Sequence, residues 1–389
     1  MGNKKHKFFE LINLCSCFSI IPIFNLTSCT TSTQIDVKFI HNEEYGGCSA
    51  LITPEEFNKK GFCFGDGLKL SFREPGVDIV FENVPYYNGF YVQNGEPIFT
   101  LLTDYLYFTI RNCPYDLWEH LNLGEETTVT ISLTKKREYI DVQNLLNLSY
   151  SSKKRDDYDS DEAYVNFHSI SGGELRDNYL YRGSHPCNIS IMGDRYLYAN
   201  RLLESNSITY FINLANTEQE LSNFLDNEDS SINYYRQLWS NKTYITKHFS
   251  VINASDESNI EVTNFFKQLI KSNIDSNDRI YVHCNEGKDR TGFICLIIEA
   301  LCDCDYKTIK NDYLLSFINL YDLDEQKDVE RINAITKYYF NQLIALITFE
   351  DRAKDSYEDV NFKEIALNYL KVGGMSEEDI TKLINLFHK

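Results

Sequence analysis

Two rhythms of apolar and polar residues divide the chain. From about 37 to 150 the alternation is that of half-buried strands, as in Leu68-Lys69-Leu70-Ser71-Phe72 and Val129-Thr130-Ile131-Ser132-Leu133. Asn88-Gly89 and Asn94-Gly95 offer tight turns between Tyr-, Phe- and Val-rich runs. The pattern predicts a small, mainly-β domain whose aromatic residues form core rather than a ligand platform. Residues 151–162 (SSKKRDDYDSDE) are charged and poor in apolar side chains, and they read as a linker.

Beyond the linker the rhythm changes to alternating strands and helices. Ile208–Leu214, Tyr244–Val251 and Arg279–His283 read as strands, and a helix is expected from about Glu218 to Leu225. Ser258 and Glu261 form a capping box ahead of Val262, Phe265, Phe266, Leu269 and Ile270, which share one helical face. An apolar helix is expected just past Thr291, one amphipathic helix over Arg331–Ile347, and a last one capped by Ser376 with Asp379. This order predicts an α/β domain over 163–389, with a central, mostly parallel sheet flanked by helices.

Charge narrows the choice of partners. The 389 residues carry a formal net charge of -19 at pH 7. So acidic a surface repels nucleic acid and anionic lipid at long range, and any phosphate site must be a local pocket. Lys4, Lys5 and Lys7, the apolar run Phe18–Leu26 and Leu26-Thr27-Ser28-Cys29 have the parts of an export signal over 1–29. The last four residues resemble a bacterial lipobox, which makes Cys29 the expected lipidated residue and the anchor the only expected membrane contact. Outside this region lie Cys48, Cys63, Cys113, Cys187, Cys284, Cys295, Cys302 and Cys304, with no zinc-type spacing and no evident disulfide framework.

The chemistry is concentrated in His283-Cys284-Asn285-Glu286-Gly287-Lys288-Asp289-Arg290-Thr291-Gly292, between an expected strand and an expected helix. Cys-x5-Arg spacing lets one loop curl around a phosphoryl group, with backbone N–H groups and the helix N-terminus aimed at its oxygens. Gly287 gives the turn its freedom, and Arg290 can bind two oxygens through its planar fork. The same amides and dipole favour a thiolate at Cys284, both nucleophile and tolerable leaving group. Thr291 is placed to hydrogen-bond the sulfur, while His283 shapes the loop. Asn285, Glu286 and Lys288 complete the substrate-facing loop, with Lys288 adding positive potential at the rim or meeting further phosphates.

This segment resembles the active-site loop of the protein tyrosine phosphatase superfamily, and Gly-Lys-Asp-Arg-Thr-Gly is similar to its bacterial, lipid-like branch. Tyr179-Leu180-Tyr181-Arg182-Gly183-Ser184-His185-Pro186, Asp312–Phe317 and Gly373-Gly374-Met375 extend the resemblance over about 170–389. It implies a cofactor- and metal-independent phosphomonoester hydrolase acting through phosphocysteine on phosphotyrosine or dual-specificity protein substrates, with phosphoinositides or inositol phosphates as the alternative. It also implies a general acid. Asp256, 28 positions before Cys284, and Asp289 in the loop are the two choices, and Arg182 is expected in the substrate wall. A silent phosphate-binding module and an adhesion lipoprotein are the rival classes.

Overall fold

The computed structural model describes residues 33–74, 77–102, 104–125, 127–149, 154–188, 193–226, 230–249 and 252–389. The export-signal pattern and Cys29 lie outside these residues. Strands β1 (Gln34–Asn42), β2 (Gly47–Ala50), β3 (Gly67–Glu74), β4 (Val77–Tyr87), β5 (Pro97–Leu102), β6 (Tyr105–Ile110) and β7 (Thr128–Lys135) close into a barrel of order β1-β2-β6-β5-β4-β3-β7. Closure leaves no open sheet edge. Leu68, Leu70 and Phe72 of β3 meet Phe39, Phe99, Phe108, Val129 and Ile131 inside, all fully buried. The alternation seen in the sequence is therefore inside against outside. That the sheet closes was not readable from it, because closure depends on the β1–β7 pairing, with Ile35 opposite Ile131.

The outer face of the barrel is also buried in part. On β4, Tyr86 points into the barrel and the next residue, Tyr87, into the core of the second sheet unit; on β5, Phe99 and Ile98 divide in the same way. Tyr91 and Val92 join that second core, and the Tyr91 ring lies 6.5 Å from Tyr339. The Asn94 backbone N–H donates to Gln342 Oε1 at 2.8 Å, and its amide donates to Gln342 O at 3.2 Å. Thr33–Lys389 accordingly form one compact unit.

The second sheet contains β8 (His168–Ser169), β9 (Leu180–Gly183), β10 (Tyr210–Asn213), β11 (Tyr244–Thr246) and β12 (Ile280–His283), in the order β11-β10-β12-β9-β8. Three pairings are parallel, and only β8–β9 is antiparallel. Tyr210, Ile212, Ile280 and Val282 face one helical layer, while Phe211 and Tyr281 face the other. Burial on both faces explains the continuous apolar runs. The charged stretch is structured from residue 154 onward. Arg155–Asp157 form a 3-10 turn, Ser160 caps Asp161–Tyr164, and buried Tyr158 donates its hydroxyl to Leu320 O at 2.9 Å.

Two local expectations are corrected. The helix Asp256–Leu269 starts three residues earlier than the capping-box reading, because Ser255 accepts from the Ser258 N–H; the Ser258 hydroxyl instead accepts from the Asn253 N–H at 3.1 Å. The segment read as one helix over Arg331–Ile347 contains a π turn at Thr336–Phe340 between helices Val329–Ile335 and Asn341–Thr348. The extra residue in this turn sets Tyr339 and Gln342 against the barrel.

Because Tyr91 belongs to the shared core, Tyr91→Ala is expected to destabilise both parts together, by about 3 kcal/mol. Calorimetry should show one transition moving to lower temperature. Two separate transitions, with only one displaced, would refute the shared core.

Candidate active site

The site lies at the carboxyl ends of the parallel strands, where open α/β sheets bind ligands. Central β12 runs directly into Cys284, and the helix Asp289–Leu301 begins five residues later. Each carbonyl between them is bound from outside the curl. Cys284 O meets His283 Nδ1 at 3.2 Å, Asn285 O accepts from the His185 N–H at 2.9 Å, and Glu286 O accepts from the Asn166 amide at 3.1 Å. Gly287 O and Lys288 O both accept from Arg182 Nη2, at 2.8 and 3.2 Å. Since C=O and N–H point in opposite directions along a peptide, this turns the loop's N–H groups inward. Those of Asn285, Gly287, Lys288, Asp289 and Arg290 donate to no protein acceptor among the described residues. Such a ring of amides at a helix N-terminus is a ready anion site.

The support behind the loop is polar and fully packed. Arg182 is wholly buried and pairs through Nη1 with Asp312 at 2.5 Å, while Asp312 also meets His168 Nε2 at 3.1 Å. Burial opposes charge on Asp312, but Arg182 and His168 outweigh it and hold the carboxyl below its usual range. Arg182 thus lies behind the loop rather than in the substrate wall, because Nη1 is taken by Asp312, Nη2 by the loop carbonyls, and Nε is buried. A carbonyl can only accept, so His283 carries its proton on Nδ1 and takes the Tyr235 hydroxyl proton on Nε2, at 2.7 Å. Burial, with neighbouring His185 and Arg290, keeps His283 neutral by pulling its imidazole well below the ordinary value. Burial likewise pulls His185 down to about 4. Both histidines therefore shape the loop in uncharged form.

Cys284, Asn285, Glu286, Asp289 and Arg290 line a pit of about 180 Å3. Cys284 is only 3% exposed. Arg290 donates from Nη1 to Leu214 O at 3.2 Å and Phe249 O at 3.1 Å, which ties it to the ends of the neighbouring strands. Asp289 is 58% exposed into the open space beside it. Protein on the surrounding sides still desolvates its carboxyl and, with Glu286, raises it from its ordinary value against the pull of Lys288 and Arg290. Asp256 is not brought to the pit; it is an exposed first-turn residue of its helix and lines neither cavity. The Thr291 hydroxyl is buried with no hydrogen-bond partner, so the expected bond to the Cys284 sulfur is not made.

Lys288 also departs from expectation. It is 7% exposed, not a rim cation. Its ammonium meets Glu286 at 2.8 Å and the Tyr321 hydroxyl at 3.0 Å, over the rings of Phe317 and Tyr321. Burial works to discharge it, but Asp289 and Glu286 outweigh that and hold it charged.

A second cavity of about 580 Å3 shares Asp289 and Arg290 with the pit. Its far wall is the barrel, through Tyr45, Phe90, Tyr91 and Arg111, which no motif in the sequence marked as part of a site. Among the described residues no group of three or more His, Cys, Asp or Glu is placed to hold a metal ion, and no helix is long and apolar enough to cross a membrane.

Gly287 has φ +73°, and a Cβ there would sit 2.2 Å from Gly183 O. Gly287→Ala should therefore displace the loop and lower kcat by about 100-fold with little change in secondary structure by circular dichroism. Arg182→Met should cost about 3–5 kcal/mol in denaturant unfolding, since it strands Asp312. Wild-type kcat in the glycine variant, or unaltered stability in the arginine variant, would contradict this geometry.

Comparison with known proteins adds the family. The model of the tyrosine phosphatase family matches residues 164–388. Among solved structures, the core catalytic domain of the PP-IP phosphatase SIW14 from S. cerevisiae in complex with citrate is 22% identical, with a TM-score of 0.25, over 43% of this chain and 92% of that one. TpbA of P. aeruginosa is 13% identical, with a TM-score of 0.23, over 43% of this chain and 91% of that one. No curated protein matches the chain. With more than half its length covered by the family model, the chain belongs to the tyrosine phosphatase family.

Proposed function

We propose that the chain is a phosphomonoester hydrolase that works through a phosphocysteine intermediate, with phosphotyrosine in proteins as its main substrate. The observation that carries this is the convergence of unpaired loop amides, Cys284 and Arg290 on one pit. In the first step Cys284 Sγ forms a bond to phosphorus as the ester P–O bond breaks. Asp289 delivers its proton to the departing oxygen, which a carboxyl held above its usual range can do at higher pH than an ordinary one. The amides hold the three equatorial oxygens. Arg290, anchored by Nη1, offers its remaining N–H groups to two of them. In the second step Asp289 takes a proton from water as the water oxygen bonds to phosphorus and the P–S bond breaks, releasing inorganic phosphate. The Thr291 hydroxyl, buried beside the loop without a partner, is the group proposed to donate to the departing sulfur.

The alternative of a phosphoinositide has less support in the charges. Ring phosphates need several unpaired cations, and Lys288 is already committed to Glu286, Asp289 and Tyr321. We also propose export and lipidation at Cys29, a reading supported by the basic, apolar and Leu-Thr-Ser-Cys segments of the sequence.

Cys284→Ser should lower kcat on p-nitrophenyl phosphate by about 10⁴-fold or more, while phosphate still binds the pit. Retained turnover would exclude Cys284 as nucleophile. Asp289→Asn should lower kcat by about 10²–10⁴-fold on alkyl phosphates, which need the proton most, and Asp256→Asn should not. The sign of the pH effect follows from the raised carboxyl. The proton stays on Asp289 until pH rises through the elevated value, so Asp289 governs the loss of kcat on the basic side, and Asp289→Asn removes that limb. A profile unchanged in Asp289→Asn but altered in Asp256→Asn would reverse the assignment. In a bacterial host the protein should sediment with membranes until detergent is added, and Cys29→Ala should be soluble; a membrane-bound alanine variant would remove the anchor.

A further inference from the structure

The barrel holds an arginine that forms no salt bridge among the described residues. Arg111, directly after β6, is half-buried in the wall of the larger cavity. Nη1 donates to the carbonyls of Phe90 and of Val92, the latter at 2.7 Å, and the guanidinium lies 5.8 Å from the centre of the Tyr339 ring. It forms no salt bridge among the described residues, and neither Nε nor Nη2 has a hydrogen bond there. An enclosed cation without an anion is costly to keep, whereas one edge of a guanidinium matches a single carboxylate. Lys288, the other cation of this wall besides Arg290, is already paired.

The cavity shares Asp289 and Arg290 with the pit, which puts it beside the group that leaves phosphorus in the proposed reaction. Half-buried rings of Tyr45, Phe90, Tyr321 and Tyr339 line the cavity, which suits a phenolic ring followed by polypeptide. One available guanidinium in the same wall as Asp289 suits one further anion, not several ring phosphates. The net charge of -19 opposes an acidic ligand at a distance, but at physiological salt that repulsion is screened beyond about 8 Å.

We propose that Arg111 is a specificity-determining residue contributed by the barrel, which binds the carboxylate of an acidic side chain adjacent to phosphotyrosine in a protein substrate. The proposal rests on the phosphatase reading above. It gives the barrel, which lies outside the residues matched by the family model, a part in substrate choice.

The test uses the full chain with p-nitrophenyl phosphate and two phosphotyrosyl peptides that differ only in flanking Glu against Gln. A soluble inositol bisphosphate serves as a third arm. Wild type should favour the Glu peptide by about tenfold or more in kcat/KM, mainly through KM. Arg111→Met should bring that ratio close to one. Arg111→Lys, which keeps the charge and loses the fork, should bring it part of the way. The ratio of two substrates on one preparation does not depend on how much of it is folded, so a weakened barrel does not confuse the result. No preference in wild type, the full wild-type ratio in either variant, or higher kcat/KM on the inositol bisphosphate than on the Glu peptide would overturn the assignment of Arg111. No turnover of p-nitrophenyl phosphate by wild type would overturn the phosphatase reading itself, and this inference with it.

Discussion

The site depends on where the five carbonyls of residues 284–288 point. A loop that must present N–H groups inward has to dispose of its carbonyls outward, and buried carbonyls need donors. His283, His185, Asn166 and Arg182 provide them, and each comes from a different place: β12 itself, the turn after β9, the segment before β8, and β9. Arg182 is costly to bury and is held charged by Asp312, which His168 supports in turn. The anion site is therefore braced from behind by one cation, an asparagine amide, a backbone N–H and a neutral imidazole that never touch the anion. A catalytic loop in so acidic a protein needs this arrangement, because the surrounding surface cannot attract phosphate.

The second constraint is the double use of alternating residues. In β4 and β5 one parity fills the barrel and the other fills the core beside the catalytic helices. That sharing fixes the barrel against the sheet unit and closes the larger cavity with Tyr45, Phe90 and Arg111. The π turn at Thr336–Phe340 adjusts the other side, where Tyr339 meets Arg111 and Gln342 clasps Asn94.

What the sequence disclosed follows from this. Strand and helix periods, the Cys-x5-Arg spacing and the Ser376 cap are local signals, and most elements that depend on them lie where expected, although the strand read over Tyr244–Val251 is formed only at Tyr244–Thr246 among the described residues. The helix start at Ser255 was also locally marked, since Asp256 and Glu257 fill its first turn, but the neighbouring Ser258 with Glu261 mimicked a cap. Barrel closure, the position of Arg182 and the role of Lys288 were not legible. Each is set by residues far away in the chain: β1 against β7, Arg182 against Asp312, Lys288 against Tyr321. The choice between Asp256 and Asp289 likewise needed the cavities, because both sit at helix N-termini and nothing in their spacing says which one faces the pit.

In the proposed reaction a phosphoryl group is transferred to Cys284 within this amide ring. Rapid acid quench of the enzyme turning over an aryl phosphate, followed by peptide mass spectrometry, tests it directly. One phosphoryl group is expected on the peptide that contains Cys284, forming within the first turnover and decaying at the steady-state rate. A first turnover that releases product with no phosphoryl group on that peptide, or with one on another residue, would contradict it.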